Sequence, residues 1–377
     1  MENGHGHERY WLWLTKMVNG DSAKFQRICK ANGTAADVFD AAKRGTLSTD
    51  CGLANGEVSF IAKCATEDYI DDYIAMLKRD GILFTTPVSN NFPKLLNEIY
   101  EPPTTLFYKG RLPADMPLAL AMIGARDCTE YGRGIAVDFS KKLSERGVCI
   151  VSGMALGIDA ASSYGALLCA ENEFPTAAVL GSGVDVVYPK TNAELYYEII
   201  ERGAVISEYL PGTQPSPSNF PRRNRIISGI SRGVIIVEAA EKSGTSITAS
   251  YALEQNRDIF CVPGRITDKM SRGTNELIRE GVGKPIFDIS DILEEYGYEL
   301  AAKQHAAHCA QRSEKRVRDG LSGEQLAVYD ALSEGAMSFD ELCIRLKCEA
   351  SKLNICLTEM EFSRIIKQSP GRVFEIE

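Results

Sequence analysis

The chain has 377 residues, more than one ordinary domain needs and enough to bury a core in each of two or three. Its 42 basic and 51 acidic side chains give a formal charge of −9, so a nucleic-acid role would need a local basic patch. The 44% hydrophobic and 25% charged content excludes wholesale disorder. No apolar run approaches the roughly 18 residues of a membrane helix, and the start MENGHGHERYWLWL lacks a signal-peptide core, so we expect a cytoplasmic protein without membrane contact.

Cysteine and histidine usage limits the chemistry further. The 11 cysteines are scattered without a CxxC pair, which predicts reduced, mostly buried thiols. The four histidines are His5, His7, His305 and His308. Residues 8–304 therefore contain no histidine and cannot supply the imidazole base of a Ser-His or Cys-His catalytic pair. His305 and His308 lack the further ligands of a zinc site, and we expect neither a metal nor a cofactor.

Residues 1–85 form the first predicted domain. Apolar side chains recur at helical spacing from Trp11 to about Gly81, and glycines interrupt them. This pattern predicts a small all-helical accessory domain. Short helices with glycine turns fit either a helix-hairpin-helix DNA binder or a sterile-alpha-motif-like protein contact, and the sequence leaves both open.

Residues 86–297, which begin before the hinge at Pro102 and Pro103, form the second predicted domain. Strand-length apolar runs lie at 118–124, 148–153, 176–181, 204–209, 233–239 and 258–264. Helical stretches lie at 130–146, 157–171, 191–202, 222–231, 244–257 and 273–280. Fully apolar strands alternating with helices predict a Rossmann-like, doubly wound α/β fold with a mostly parallel sheet.

The remaining chain is predicted to be a linker, 298–319, and a winged-helix-like domain, 320–377. Three short helices are expected at 321–332, from a capping box at Ser338 and Glu341, and at 350–361, followed by a hairpin. Residues 318–377 carry seven basic and eleven acidic side chains, a net −4. Because a groove-reading helix should be basic, we expect protein contact or support of a dimer from this domain.

The carboxyl ends of parallel strands meet at one edge of the sheet, where ligands bind in this architecture. Small residues there let a ligand approach the backbone, and helix N-termini bind anions. The candidate binding residues at this edge are Gly124, Arg126, Thr129, Tyr131, Gly132, Ser152, Gly153, Gly157, Gly181, Ser182, Gly183, Phe220, Pro221, Arg222, Arg223, Asn224, Arg225, Glu238, Ser243, Gly244 and Thr245.

Four arginines are the only charged side chains between Glu208 and Glu238, a local excess of +4: Arg222, Arg223, Arg225 and Arg232. Arginine suits phosphate oxygens and stacks on bases. Two alternatives stay open, because tight turns need glycine without any ligand and one or two of the arginines would form structural salt bridges. Phe220 is either a core residue or a platform for a base. No P-loop or dinucleotide fingerprint occurs, which favours nucleic-acid binding over catalysis.

Eight segments between about Phe92 and Glu295 stand in a recognisable order: FPKLLNEIYEPPTTLFYKG, IGARDCTEYG, VSGMALGIDAAS, AVLGSGVDVVYP, ISEYLPG, FPRRNRIISGIS, VIIVEAAEKSGTSITASYALEQNRDIFCVPG and GTNELI. In these the chain resembles the DNA-processing protein A (DprA, or Smf) family. The resemblance implies a non-enzymatic, usually dimeric binder of single-stranded DNA that helps load RecA recombinase onto incoming DNA in natural transformation. It also implies that Arg126 and residues 220–225 line the DNA pocket.

The chain departs from the family pattern at two places. The usual Ala-Arg-Gly-Ile-Asp has Leu156 in place of arginine, and the usual His-Arg is replaced by Ser163 and Tyr164, so a cationic contact is missing. An alternative function is a nucleoside-phosphate hydrolase of the phosphoribohydrolase (lysine-decarboxylase-like) type, with Glu238 ahead of the turn at Ser243. That group has a glutamate after its glycine-rich run, and residues 246–253 contain none.

Overall fold

The computed structural model of the chain describes residues 5–113, 118–241, 243–297 and 321–376, apart from residues 334, 347, 364 and 370. The chain divides into two compact units, residues 1–302 and 303–377. The predicted linker at 298–319 lies outside the described residues. The predicted domain boundaries stay predictions.

Helices occupy the start of the first unit: α1 (His5–Met17), α2 (Ser22–Asn32), α3 (Ala35–Arg44), α4 (Asn55–Lys63) and α5 (Glu67–Arg79). Their N-terminal caps follow from the sequence, since the side chains of Asp21, Thr34 and Thr66 each accept a backbone hydrogen bond. Trp13 is buried among the helices, and its indole N–H donates to the Cys64 carbonyl at 2.9 Å. The predicted helical region is confirmed.

Nine strands of the first unit form one sheet: β1 (Leu83–Thr85), β2 (Leu106–Gly110), β3 (Ala119–Ile123), β4 (Cys149–Ser152), β5 (Thr176–Val179), β6 (Ala204–Ser207), β7 (Gly233–Ile236), β8 (Asp258–Cys261) and β9 (Lys284–Pro285). Their order is β1-β2-β6-β5-β4-β3-β7-β8-β9. The strands from β3 to β9 are parallel, and β2 is antiparallel to both of its neighbours.

Helices cover both faces of this sheet: α6 (Glu130–Ser144), α7 (Ile158–Leu167), α8 (Ala193–Arg202), α9 (Asn219–Ile230), α10 (Gly244–Glu254), α11 (Arg272–Arg279) and α12 (Ser290–Leu293). Short 3-10 helices lie at Lys94–Glu98, Lys190–Asn192, Lys269–Ser271 and Glu294–Tyr296. Alternate residues of β3 point to opposite faces, so Ala121 packs in one core with Ile226, and Met122 packs in the other with Phe139. The predicted Rossmann-like α/β fold is confirmed.

The sheet differs from the prediction at its margins. Each of the six predicted strands ends one to three residues early, because its last residues form the turn into the following helix. The short strands β1 and β9 and the antiparallel strand β2 were not predicted, since only continuous apolar runs identify buried parallel strands.

The N-terminal helices pack directly on the sheet. Leu12 of α1 is fully buried in a cluster with Tyr73 of α5, Phe107 of β2 and Val184 of the loop after β5. Beside this cluster the buried Thr15 hydroxyl lies 3.0 Å from that of Thr104. The helices and the sheet therefore share apolar and polar contacts within one unit.

The second unit contains α13 (Gly323–Leu332), β10 (Met337–Ser338), α14 (Phe339–Leu346), α15 (Ala350–Phe362), β11 (Ile366–Ser369) and β12 (Val373–Ile376). Its strands pair in the order β10-β12-β11. The Ser338 amide donates to the Glu341 carboxylate at 2.8 Å, and the Glu341 amide donates back to the Ser338 hydroxyl at 3.4 Å. The predicted capping box, helices and hairpin are confirmed.

The ten described cysteines are free thiols, and six of them are buried: Cys51, Cys64, Cys149, Cys169, Cys261 and Cys356. Burial raises the pKa of Cys261 to about 12, which keeps that thiol protonated and unreactive at neutral pH.

None of the described helices has both the length and the apolarity required to cross a membrane.

Leu12→Ala tests the packing of the helices on the sheet. The substitution removes a buried side chain and should lower the free energy of unfolding by about 2–5 kcal/mol. Both tryptophans, Trp11 and Trp13, lie in α1, so their fluorescence reports the helices, while far-UV circular dichroism also reports the sheet. Both signals should shift together in a denaturant titration.

Phe60→Ala is the control, because Phe60 is 52% exposed and its removal should change stability by less than about 0.5 kcal/mol. If the fluorescence transition shifted while the circular dichroism transition stayed unchanged, the helices would unfold independently of the sheet.

Candidate functional site

The carboxyl ends of the parallel strands form one edge of the sheet, and the strand order reverses there between β3 and β7. Strands β4 to β6 follow β3 on one side, whereas β7 and β8 lie on its other side. Ligands of doubly wound sheets bind outside the strand ends at such a reversal. Arg126 follows β3 and Glu238 follows β7, so both residues lie at this point. The surface formed by the loops after β3 to β7 is called the crevice below.

Most of the predicted glycines are required by the protein's own packing. An added Cβ would come within 3.0 Å of another protein atom at Gly124, Gly132, Gly153, Gly157, Gly181 and Gly183. At Gly157, where φ is 77°, this atom would lie 2.2 Å from the Ala125 carbonyl oxygen. Gly244 differs, because no heavy atom outside its chain neighbours lies within 4 Å of an added Cβ. Of the seven glycines, Gly244 is the one with open space.

Glu238 connects two loops of the crevice. Its side chain is 2% exposed. Its carboxylate accepts the Thr129 amide at 2.8 Å and the Thr129 hydroxyl at 2.5 Å. The same hydroxyl accepts the Gly132 amide at 3.1 Å and so caps α6. Both oxygens of Glu238 are engaged in holding the start of α6 against the end of β7.

Arg223 connects α9 to the ends of two strands. It is 4% exposed, and its guanidinium donates to the carbonyl oxygens of Gly153, at 2.9 Å, and Val179. Burial lowers the pKa of Arg223 to about 10, although nearby Asp159 opposes this shift. Burial likewise raises the pKa of Asp159, opposed by Arg223 and by the Gly153 amide that donates to its carboxylate at 3.0 Å. Arg223 stays charged at neutral pH and fixes α9 to the sheet.

Arg225 forms a buried ion pair with Glu208. The two side chains are 5% and 4% exposed, and one guanidinium nitrogen donates to the carboxylate. Arg222 is 42% exposed, with its Nε 3.8 Å from the second oxygen of Glu208. Of the four arginines between Glu208 and Glu238, Arg223 and Arg225 are therefore internal, as the structural alternative predicted. Arg222 retains access to solvent at the crevice, whereas the exposed Arg232 directly precedes β7 and lies at the opposite edge of the sheet.

An exposed cation and two aromatic rings lie together above the ends of β3 and β5. The guanidinium carbon of Arg126 is 5.8 Å from the Phe220 ring centroid. The Tyr188 ring lies 5.5 Å from that of Phe220, and Tyr188 is 42% exposed. Phe220 itself is half-buried over Gly181, where an added Cβ would lie 2.8 Å from the ring. We call Arg126, Phe220 and Tyr188 the stack.

Tyr188 was not among the predicted site residues. The sequence signal for it is its place at the end of the VDVVYP segment, shortly after the turn that follows β5. The segment 220–225 also differs from the prediction, because α9 begins at Asn219 and contains it entirely, whereas the helix was expected from residue 222. Pro221 is accommodated because a first-turn amide needs no helical acceptor.

The other predicted residues divide between interior and surface. Ser152 and Ser182 are buried, with their hydroxyls bonded to the Ser163 hydroxyl at 2.9 Å and to the Val186 carbonyl at 3.0 Å. Tyr131 is exposed at the start of α6. Partly exposed or accessible positions are Thr129, Pro221, Asn224 and Ser243, while Thr245 is buried in the first turn of α10.

Within the described part of the chain no group of three or more histidine, cysteine, aspartate or glutamate side chains could hold a metal ion. His305 and His308 lie outside the described residues.

Two family models match the chain. One, described as DNA recombination-mediator protein A, matches residues 83–297. The other, described as the DprA winged helix domain, matches residues 312–372. The first match spans the whole large sheet and the crevice.

Named relatives agree with these matches. The DNA processing protein DprA of Streptococcus pneumoniae is 43% identical over 207 residues, 55% of this chain and 72% of the relative. A putative DNA processing protein DprA of Mycobacterium tuberculosis is 31% identical over 352 residues, 89% of this chain and 86% of the relative.

Two solved structures are also similar. The X-ray structure of the S. pneumoniae protein has a TM-score of 0.58 at 33% identity, covering 76% of this chain and 97% of that one. A structure of DNA processing protein A from Helicobacter pylori, described as giving insight into its single-stranded DNA binding mode, has a TM-score of 0.51 at 31% identity. It covers 56% of this chain and 95% of that one.

Glu208→Ala tests the buried ion pair under the crevice. Removal of the carboxylate leaves the Arg225 guanidinium buried without its partner, which should cost about 3–5 kcal/mol of unfolding free energy. Chemical denaturation followed by circular dichroism measures the loss. The exposed Glu201→Ala on α8 is the matched control and should stay within about 0.5 kcal/mol of the intact protein. Equal stabilities of the two variants would contradict a structural role for Arg225.

Proposed function

The chain belongs to the DNA recombination-mediator protein A (DprA/Smf) family, and on this premise we propose that it binds single-stranded DNA in the crevice without acting as an enzyme. The observation that carries the proposal is the stack, an exposed guanidinium beside two accessible aromatic rings at the strand-order reversal. The H. pylori relative, whose structure addresses single-stranded DNA binding, supports the ligand class.

The stack favours a single strand over a duplex. Aromatic and guanidinium faces bind the flat faces of bases, which are available only when the bases are unpaired. Arg126 supplies a positive charge for the adjoining phosphate, and Arg222 supplies another from the first turns of α9. Base contact and phosphate contact are therefore offered by neighbouring residues.

A further phosphate position is proposed at the start of α10. The open space at Gly244 leaves the backbone accessible, and a helix N-terminus attracts anions. The adjacent Ser243 hydroxyl oxygen is buried and has no hydrogen-bond partner among the described residues. A phosphate oxygen would satisfy it. Leu156, where the family has arginine, is 45% exposed and adds no charge, so Arg126 carries more of the electrostatic attraction here.

We propose that the protein is not catalytic, because its candidate acid-base group, the Glu238 carboxylate, already accepts hydrogen bonds within the protein. The phosphoribohydrolase alternative requires Glu238 to act on a ribosyl carbon. Both oxygens of that carboxylate instead accept hydrogen bonds from Thr129. No observation favours the hydrolase, and release of a free base from a nucleoside monophosphate would revive it.

We also propose, from the family alone, that the chain acts as a homodimer and helps load RecA recombinase onto incoming DNA during natural transformation. The acidic winged-helix unit is proposed to contact protein. Sedimentation velocity tests the dimer, and the rate of RecA filament growth on single-stranded DNA, with and without this protein, tests the loading. A monomer at micromolar concentration would contradict the proposed dimer. An unchanged rate of RecA filament growth would contradict the proposed loading role.

Arg126→Ala should weaken binding of single-stranded DNA by roughly 1–3 kcal/mol, because a charge-assisted contact beside the bases is lost. Fluorescence anisotropy of a labelled oligonucleotide, titrated at several salt concentrations, measures the change. Arg146→Ala, at the opposite edge of the sheet after α6, is the matched control and should bind as the intact protein does.

Tyr188→Ala should weaken binding by roughly 1–3 kcal/mol, the usual value of one base on an aromatic ring, with little change in salt dependence. Tyr197→Ala is the control, since Tyr197 is 64% exposed on α8 and outside the crevice. A loss that is present at low salt and disappears at high salt, or equal losses in both variants, would contradict stacking at Tyr188.

One comparison separates the possible functions. Single-stranded DNA, duplex DNA and mononucleotides are titrated against the intact protein over a range of salt concentrations. The proposal expects tight, salt-sensitive binding of the single strand and weaker binding of the other two. A preference for duplex or for mononucleotides would overturn it.

A further inference from the structure

We propose that the segment from Pro263, after β8, to Arg272, the first residue of α11, is a second phosphate-binding site that continues the path of a single DNA strand beyond the crevice. We call it the cationic loop. This inference rests on the proposed single-stranded DNA binding.

The cationic loop is held firmly at both ends. The Gly264 amide and carbonyl bond to the side chain of Asn275, at 3.2 and 3.0 Å. The Met270 carbonyl accepts the Ala239 amide at 2.7 Å, and the Gly273 amide donates back to the Ala239 carbonyl at 2.8 Å. A loop fixed in this way presents its side chains at defined positions.

Its side chains give it a local positive charge. Arg265, Lys269 and Arg272 are all exposed, and none forms an ion pair with a described residue. Asp268 is the one acidic residue of the loop, which leaves a net charge of +2. The exposed Glu241 lies two residues after Ala239, the residue whose backbone anchors the loop. Solvent-exposed cations without partners are available to neutralise phosphates.

The position of the loop connects it to the crevice. Ala239, which anchors Met270, directly follows Glu238 at the strand-order reversal. Tyr131 at the start of α6 donates its hydroxyl to the Pro263 carbonyl at 3.4 Å. Because β3, β7 and β8 are adjacent strands about 4.8 Å apart, the loop after β8 begins about 10 Å from the loop of Arg126. A strand that leaves the stack on this side meets the cationic loop next.

The chemistry of the loop indicates phosphate contact without base recognition. Arg265, Lys269 and Arg272 are charged donors, and none of the loop's side chains is an aromatic ring. Contacts of this kind add affinity that does not depend on base sequence and falls with salt. The loop would therefore extend the binding site and leave base contact to the stack.

The triple variant Arg265→Gln, Lys269→Gln, Arg272→Gln tests this role. Two oligonucleotides are compared, one of about six nucleotides that occupies the crevice alone and one of about twenty that also reaches the loop. For the long oligonucleotide, the slope of log affinity against log salt should fall in magnitude by roughly 2, since three phosphate contacts contribute about 0.7 each. Affinity for the short one should stay unchanged.

The control carries the same charge change at the opposite edge of the sheet: Lys141→Gln, Arg146→Gln, Arg232→Gln. It should retain the slope of the intact protein for both oligonucleotides. A control that lost as much slope as the cationic-loop variant would overturn the inference, because the effect would then reflect net charge alone.

The outcomes separate this inference from the function on which it rests. If the intact protein bound neither oligonucleotide, the proposed function would fail. If the intact protein bound both and the cationic-loop variant kept the full slope for the long one, the inference alone would fail, and the loop cations would be assigned to an acidic protein surface. Unchanged short-oligonucleotide affinity in the variant shows that it is folded.

Discussion

The crevice depends on one buried cation, the guanidinium of Arg223. By donating to carbonyl oxygens at the ends of β4 and β5, it fixes the first turns of α9 over the sheet edge. Phe220, one helical turn earlier, is thereby held over Gly181 and beside Arg126. A buried charge requires compensation, and here carbonyl dipoles and the nearby carboxyl of Asp159 provide it. The exposed part of the site is therefore positioned by a buried cation beneath it.

Much of the architecture could be predicted from the sequence, because buried parallel strands are continuous apolar runs and the helices between them are periodic. The six central strands and the capping box at Ser338 were found in this way. The candidate site was harder. Arg222 and Arg223 are neighbours of the same residue type, yet one is 42% exposed and the other is enclosed by backbone carbonyls. That difference arises from the orientation of α9 on the sheet, which no local pattern encodes.

Glycine shows the same ambiguity. A glycine-rich strand end is expected both where a ligand approaches the backbone and where two protein segments cross closely. At Gly132 the second cause applies, since the Glu238 carboxyl carbon would lie 2.3 Å from an added Cβ, whereas Gly244 has open space. The partner that excludes the side chain lies 106 positions away in the first case, so only tertiary structure distinguishes the two.

The margins of the large sheet limit how copies of the chain can associate. Strand β1 has three residues and β9 has two, one of them Pro285, which has no amide hydrogen to offer a neighbouring strand. Edges this short give another chain little backbone to pair with, so they protect a nine-stranded sheet against edge-to-edge aggregation. These edges favour association of the first unit through side chains on its helices and loops, where contact can be specific and reversible.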